Sequence, residues 1–299
     1  MADGKTADER RGGQGGQPCL LVLGMHRSGT SALARGLVVL GASLGDRLLP
    51  ALPCNPRGFF EDEDVYACDH RLLAMLGVRW DSAEPVAARR LLDMAAGPAG
   101  RAVTEFLRAK RESGDILAVK DPCMSRLMPF WRPLLASAGL DPRCVLALRQ
   151  PEAVAQSLAK RDDMEPAVAH ALWLRYTLDA LDGSAGLPRV LVSYERLLAA
   201  PARELGRVGH ALGLEVDAAA LAEFTRDFLD AGLCHHKPAA SGDGAPEPGY
   251  FASLALRLHA GLEPLAAARP EALEAGLESG RLLRLREECV RALDDVSVA

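Results

Sequence analysis

The chain has 299 residues, 49% of them hydrophobic, which is enough to bury a sizeable core and too apolar for a disordered polymer. Its formal net charge of -5, with acids and bases interspersed, leaves no basic stripe for a nucleic-acid backbone, so any phosphate site has to be built from local donors. No apolar run approaches the roughly 18 residues of a membrane span, and the seven cysteines (Cys19, Cys54, Cys68, Cys123, Cys144, Cys234, Cys289) form no CxxC pair, which points to reduced thiols of a cytoplasmic protein rather than to a zinc site or a disulfide framework.

Residues 1–18 carry mixed charge, Gly and Gln without an apolar h-region, and are expected to be a flexible tail rather than a secretory signal. A first strand is expected at 19–24 (CLLVLG), then a tight loop, then a helix from near Ser28 with Ala32, Leu33, Leu37 and Leu40 at three-to-four spacing. Further along come a helix over 62–76, strands at 116–119 and 144–148, a helix over 166–181 opened by Pro166, and a strand at 190–193. This alternation predicts an α/β fold, a P-loop-like parallel sheet flanked by helices on both faces. The domain is expected to run over 19–236. A Pro/Gly/Ser cluster at 237–250 reads as a mobile loop, and the Ala/Leu/Glu/Arg-rich stretch 251–299 as a C-terminal helical segment packed on the same domain.

The segment GMHRSGTS (24–31) joins the first strand to the first helix, where unpaired backbone N–H groups and the helix dipole favour an anion. Gly24, four residues, Gly29, then Thr30 and Ser31 match a Walker A loop, except that Thr30 fills the lysine slot. The missing lysine argues against hydrolysis of a nucleoside triphosphate. Arg27 instead puts a guanidinium inside the loop, able to fork onto a phosphoryl or sulfuryl group. The bland alternative is a Gly-rich turn with His26 and Arg27 solvated.

A second basic cluster follows the strand at 144–148, where the chain reads RQPEAVAQSLAKR. Arg149 falls at the carboxyl end of that strand, the edge at which open parallel sheets bind ligands, and Pro151 starts a helix. Ser157 lies about two turns on from Arg149, and Arg161 one turn beyond on the same face. Two guanidiniums and a hydroxyl suit a phosphate monoester. The alternative is a surface helix whose arginines pair with Glu152, Asp162 or Asp163.

RSGTS followed by RxxxxxxxS at the next-but-one strand resembles the paired motifs of the sulfotransferases that use 3'-phosphoadenosine 5'-phosphosulfate, with Arg27 where lysine is frequent. Arg161, the VSYERLLAAP segment and the KDP triplet at 120–122 resemble the tyrosylprotein and bacterial carbohydrate types more than the cytosolic small-molecule type. The resemblance covers roughly residues 19 to 200. It implies that Arg27, Ser28, Gly29, Thr30 and Ser31 hold the 5'-phosphosulfate, that Arg149, Ser157 and Arg161 hold the 3'-phosphate, and that Tyr194 sits by the nucleotide. For Tyr194 the competing reading is a core tyrosine with a satisfied hydroxyl. The late RKGxxG segment of the cytosolic enzymes has no counterpart in KPAASGDGAPEPG, which leaves a C-terminal lid undefined.

Sulfuryl transfer by in-line displacement needs charge stabilisation on the leaving oxygen and a group to accept the acceptor's proton, and no metal in principle. Lys120 matches the family's strand-end lysine and would contact the leaving group; alternatively it pairs with Asp121 or another carboxylate. By the same resemblance Glu61, in NPRGFFEDED, is the expected base. The crowd of Glu61, Asp62, Glu63 and Asp64 also fits a helix N-terminus stabilised by acids, and His26, His70 and Asp121 are rival bases. His235 and His236 either face the acceptor or have a solvated or structural role. The acceptor implied by the bacterial-type relatives is a carbohydrate or glycosylated small molecule, while the tyrosylprotein resemblance leaves a protein acceptor open, with no nucleic-acid partner; a P-loop small-molecule kinase and an inert nucleotide-binding regulatory protein are the competing readings.

Overall fold

In the computed structural model, residues 16–53, 55–229, 249–269 and 271–297 are described. His235, His236, Cys54, Cys234 and residues 1–15 lie outside them, as does all but the end of the segment 237–250.

The central strand β1 (Gln17–Leu23) is apolar on both faces, as a strand covered on both sides must be. Cys19, Leu21 and Leu23 enter one hydrophobic cluster, and Leu20 and Val22 the other. Strand β1 starts ahead of the expected boundary, so Gln17 and Pro18 belong to the sheet rather than to the tail.

Helix α1 (Thr30–Leu37), a 3-10 turn (Val38–Leu40) and the two-residue strand β2 (Ala42–Ser43) follow. Then come α2 (Glu63–Leu76), α3 (Ala88–Ala96), α4 (Pro98–Arg111) and β3 (Ile116–Lys120). Helix α5 (Met124–Ser137), β4 (Leu140–Leu148), α6 (Pro151–Asp162), α7 (Pro166–Gly183) and β5 (Arg189–Ser193) complete the sheet. Beyond it lie α8 (Tyr194–Ala199), α9 (Pro201–Leu212), α10 (Ala218–Glu223) and a π turn (Phe224–Phe228). The C-terminal stretch forms three helices, α11 (Tyr250–Ala267), α12 (Glu271–Leu277) and α13 (Gly280–Ser297).

The strands pair in parallel in the order β2-β3-β1-β4-β5. One face is covered by α1, α9 and the π turn, through Leu33, Leu37, Leu205, Val208, Leu212 and Phe224. The other is covered mainly by α5, α6, α7 and α11, around Trp131, Trp173 and Leu258. Helix α11 packs on α7 and β5, and α13 on α7 and α11.

Strand β4 begins four residues before the expected 144, despite Pro142. The β5 partner starts only at Arg189 opposite Cys144, so Pro142 interrupts no β4–β5 ladder. Strand β2 and helices α3, α4 and α5 had no counterpart in the sequence reading; α5 carries Pro129 and Pro133 in its interior and is held by burial rather than by helix propensity. Because every strand runs the same way, the loop after β1, Lys120 at the end of β3, Arg149 after β4 and Tyr194 after β5 arrive at one edge of the sheet.

Candidate anion and transfer site

The loop between β1 and α1 is built for close backbone approach. Gly24 has φ 142°, and a Cβ there would meet the Ala147 carbonyl oxygen at 2.8 Å, so β1 and β4 need glycine at this point. The Gly24 N–H donates to Ser125 Oγ at 2.8 Å. Arg27 and Gly29 both take left-handed backbone, at φ 64° and 81°, and the Ser28 N–H closes the turn on the Met25 carbonyl at 3.2 Å. Gly29 is the N-cap of α1, and no side chain caps that helix end, which leaves its first-turn N–H groups for an anion. Ser28 and Thr30 are buried, whereas the Ser31 hydroxyl donates to the Phe59 carbonyl at 3.2 Å and accepts from Asn55 Nδ2 at 3.3 Å.

The second cluster touches the first directly. Arg27 Nε donates to Ser157 Oγ at 2.8 Å, and Arg149 Nη1 donates to the Arg27 carbonyl at 2.7 Å. The Arg149 guanidinium lies 4.8 Å from the centre of the Tyr194 ring, which also packs close to Gly29: a Cβ on Gly29 would fall 2.2 Å from Tyr194 Cδ2. Tyr194 is half-buried beneath the loop rather than in the core. The Trp173 indole donates to the Arg149 carbonyl at 3.0 Å, and Arg149 Nε is buried with no hydrogen-bond partner among the described residues. Arg161 lies with its guanidinium 5.3 Å from the centre of the Trp80 ring and donates from Nε to Asp162 at 2.7 Å. The surface-pairing alternative therefore holds for one bond of Arg161 and not for Arg149.

Lys120 and Glu61, 59 residues apart in sequence, form a buried ion pair, and Lys120 Nζ also donates to the Phe59 carbonyl at 3.1 Å. Glu61 reaches this place because Phe60 before it takes φ 58°. The rest of the acidic run behaves as the helix-terminus reading predicted: Asp62 caps α2 through the Asp64 and Val65 N–H groups and bridges Lys110 at 2.7 Å, while Glu63 and Asp64 pair with Arg47.

The rival bases lie next to this pair. Asp121 is 1% exposed, its Oδ1 accepting the Cys123 N–H at 2.8 Å and its Oδ2 unpartnered. Burial, then the Glu61 charge, pushes its carboxyl up to about 7. Asp69 is fully buried with Oδ1 held by the Trp131 indole at 2.7 Å, and burial and Asp121 push it well above the usual carboxylate range. His26 lies 3.8 Å from Cys123 Sγ and against Trp80; burial, then the cations Arg161 and Lys120, hold its imidazole well below its ordinary value. The His70 ring packs tilted against Tyr66, with ring centres 4.1 Å apart and the planes at 43°. Donor atoms of His70, Asp121 and Cys123 lie within 4.8 Å of one another, a mixed imidazole, carboxylate and thiol set of the kind a zinc-class cation takes.

Sequence reasoning missed Asn55, Asp69, Trp80, Cys123 and Ser125. Asp69 had a signal, since it interrupts the apolar stripe Val65, Leu72, Leu73 of α2 at the i+4 position. The others are brought in by tertiary contacts alone.

No protein-family model and no curated protein matches the sequence. Among solved structures, the chain is similar to the sulfotransferase domain of the olefin synthase from Synechococcus PCC 7002, at 19% identity and a TM-score of 0.47 over 83% of this chain and 96% of that one. It is also similar to the sulfotransferase domain from the curacin biosynthetic pathway, at 16% identity and a TM-score of 0.38 over 70% and 77% of the two chains.

Proposed function

We propose that the chain is a sulfotransferase that moves a sulfuryl group from 3'-phosphoadenosine 5'-phosphosulfate to a hydroxyl or amine of an acceptor, a carbohydrate or glycosylated small molecule. The observation that carries this reading is the joining of two anion sites on one sheet edge, through Arg27 Nε to Ser157 Oγ and Arg149 Nη1 to the Arg27 carbonyl. A donor with phosphate at both ends of an adenosine uses such a pair, whereas a simple triphosphate uses one loop. The buried, unpartnered Nε of Arg149 fits the same reading, because an orphaned guanidinium N–H is costly until an anion meets it.

In the transfer, the loop 24–31 and the Arg27 guanidinium hold the sulfuryl oxygens, and Lys120 donates to the oxygen bridging sulfur and the 5'-phosphate. That bridging S–O bond breaks as the acceptor's oxygen bonds to sulfur, and Glu61 takes the acceptor's proton. In the ligand-free arrangement Lys120 is bonded to Glu61. Donor binding gives Lys120 an anionic partner in exchange, which frees Glu61 to act as base at the moment the acceptor is present.

A thermal-shift comparison tests the reading. 3',5'-Bisphosphoadenosine is expected to raise the melting temperature far more than ATP with magnesium at equal concentration. An equal or larger shift from ATP would favour the kinase. Turnover itself is tested by screening glycan and glycoside acceptors with a donor carrying radiolabelled sulfur.

A further inference from the structure

The segment between α2 and α3 is turned by its own bonds, from the Ser82 N–H to the Arg79 carbonyl at 3.2 Å and from Arg79 to Asp81, and three buried side chains on the body of the domain hold its carbonyls. Arg126 donates to the carbonyls of Arg79 (3.3 Å), Ser82 (2.8 Å) and Glu84. Arg175 Nε donates to the Ala83 carbonyl at 2.9 Å, and the Tyr176 hydroxyl to the Trp80 carbonyl at 2.8 Å. Arg126, Arg175 and Tyr176 are 3%, 5% and 0% exposed. Burying two guanidiniums costs stability unless each is well paired, and Asp179 (3.5 and 3.9 Å) and Asp294 (3.0 Å from Arg175) supply the counter-charges. A loop needing only to connect two helices would not call for this many buried polar anchors.

What the strap fixes in place is Trp80. Its ring centre lies 4.7 Å from that of His26, within the loop after β1, and 5.3 Å from the Arg161 guanidinium on α6. Arg161 makes one further bond, from Nε to Asp162, and its two Nη groups bond no protein atom among the described residues. The guanidinium carbon thus lies over a ring and its Nε–H meets a carboxylate, with the Nη donors unclaimed among the described residues. Arg161 and His26 both face the Trp80 ring, which places the arginine beside the loop.

We propose that Trp80 is a positioning residue for the nucleotide: it holds Arg161 ready for the 3'-phosphate and, through His26, ties that arginine to the loop that takes the 5'-phosphosulfate. The proposal rests on the nucleotide reading given above. An arginine stacked on a fixed ring is confined before the ligand arrives, so less freedom is lost on binding than for an arginine in solvent.

Two measurements test it. In the ligand-free protein, Arg161→Ala is expected to change the emission of Trp80, isolated as the difference between Trp80-containing and Trp80→Phe proteins; no change would overturn the stack itself, whatever the nucleotide. In the second, dissociation constants for 3',5'-bisphosphoadenosine and adenosine 5'-monophosphate are measured for wild type, Trp80→Ala and Trp80→Phe. Trp80→Ala is expected to lower the preference for the bisphosphate by roughly three- to thirtyfold, the span of a cation–π contact from exposed to desolvated. Trp80→Phe, which keeps a ring face, is expected to recover to within about threefold of wild type. Equal weakening of both nucleotides, or no weakening of either, overturns the proposal, the first by making Trp80 a general support of the loop. A wild type with no preference for the bisphosphate refutes the nucleotide reading instead, and the emission experiment then still reports on the stack.

Discussion

Replacing Gly29 by alanine separates two costs that the structure assigns to this position. The first is conformational: Gly29 sits at φ 81°, where a Cβ costs about 1–2 kcal/mol. Gly41 has nearly the same backbone, φ 79°, with nothing within 4 Å of its absent Cβ, so Gly41→Ala carries the conformational cost alone. At Gly29 the new Cβ would also fall 2.2, 2.8 and 2.9 Å from three atoms of the Tyr194 ring. Tyr194 would have to move, surrendering its contact with the Arg149 guanidinium. Overpacking of this kind costs about 1–3 kcal/mol, and the lost stack about 0.5–2 kcal/mol within the same rearrangement. Gly29→Ala is therefore expected to lose about 1–3 kcal/mol more than Gly41→Ala, which at roughly 2–4 °C per kcal/mol is a readable difference in melting temperature. Urea unfolding of both variants, repeated in a Tyr194→Ala background, gives the coupling: the excess cost at Gly29 should fall away once the ring is gone. If Gly29→Ala costs no more than Gly41→Ala, or if its excess persists without Tyr194, the proposed close packing of loop and ring is wrong.

Glu61→Gln is expected to keep donor affinity within a few fold while lowering the single-turnover rate by roughly two to four orders of magnitude; a normal rate, with the loss appearing in Asp121→Asn or His26→Ala, would reassign the base. Asp62→Asn should instead cost stability, because Asp62 caps α2 and bridges Lys110. Arg149→Ala or Ser157→Ala should weaken 3',5'-bisphosphoadenosine by about tenfold more than adenosine 5'-monophosphate, since both nucleotides feel the lost support of Arg27 but a charge-assisted bond is lost only where the 3'-phosphate exists; equal weakening in a folded protein refutes the assignment. Transfer is expected to survive EDTA; loss restored by a single divalent metal would make the His70, Asp121 and Cys123 cluster a working metal site. Burial and the Glu61 charge push the Asp121 carboxyl from its ordinary 3.8 up to about 7, so between about pH 4 and 7 the folded state holds the extra proton and stability falls as pH rises. His26, depressed below 6.5, acts in the opposite sense below that pH. Measured with chelator present, the stability difference between wild type and Asp121→Asn should therefore shift against wild type by up to about 1.4 kcal/mol per pH unit across that window; a flat difference would mean that Asp121 is charged throughout.

The parallel α/β sheet was legible in the chain itself, because a strand buried on both faces has to be a continuous apolar run, and CLLVLG, ILAVK and CVLAL are short runs set between helical stretches. The loop at 24–31 and the arginine–serine helix were legible for a local reason too: a strand end, a turn of glycines and a helix start are adjacent in sequence. The exact span of β4 was not, since Pro142 reads as a strand breaker until the short reach of β5 is known. Nor was α5, whose two internal prolines oppose helix formation and are overruled by burial. The joining of the two anion sites was hidden as well, because Arg27 and Ser157 are 130 residues apart and meet only because β1 and β4 are neighbours in the sheet. The same holds for Lys120 and Glu61, whose pairing depends on the backbone turn at Phe60, and for Trp80, which meets Arg161 and His26 only through the fold. Local patterns encode which elements form and which residue types cap them. Which side chains share a low-dielectric space, and so which carboxyls are forced towards neutrality and which arginines are held ready, is set by strand order and by the loops that strand order brings to one edge.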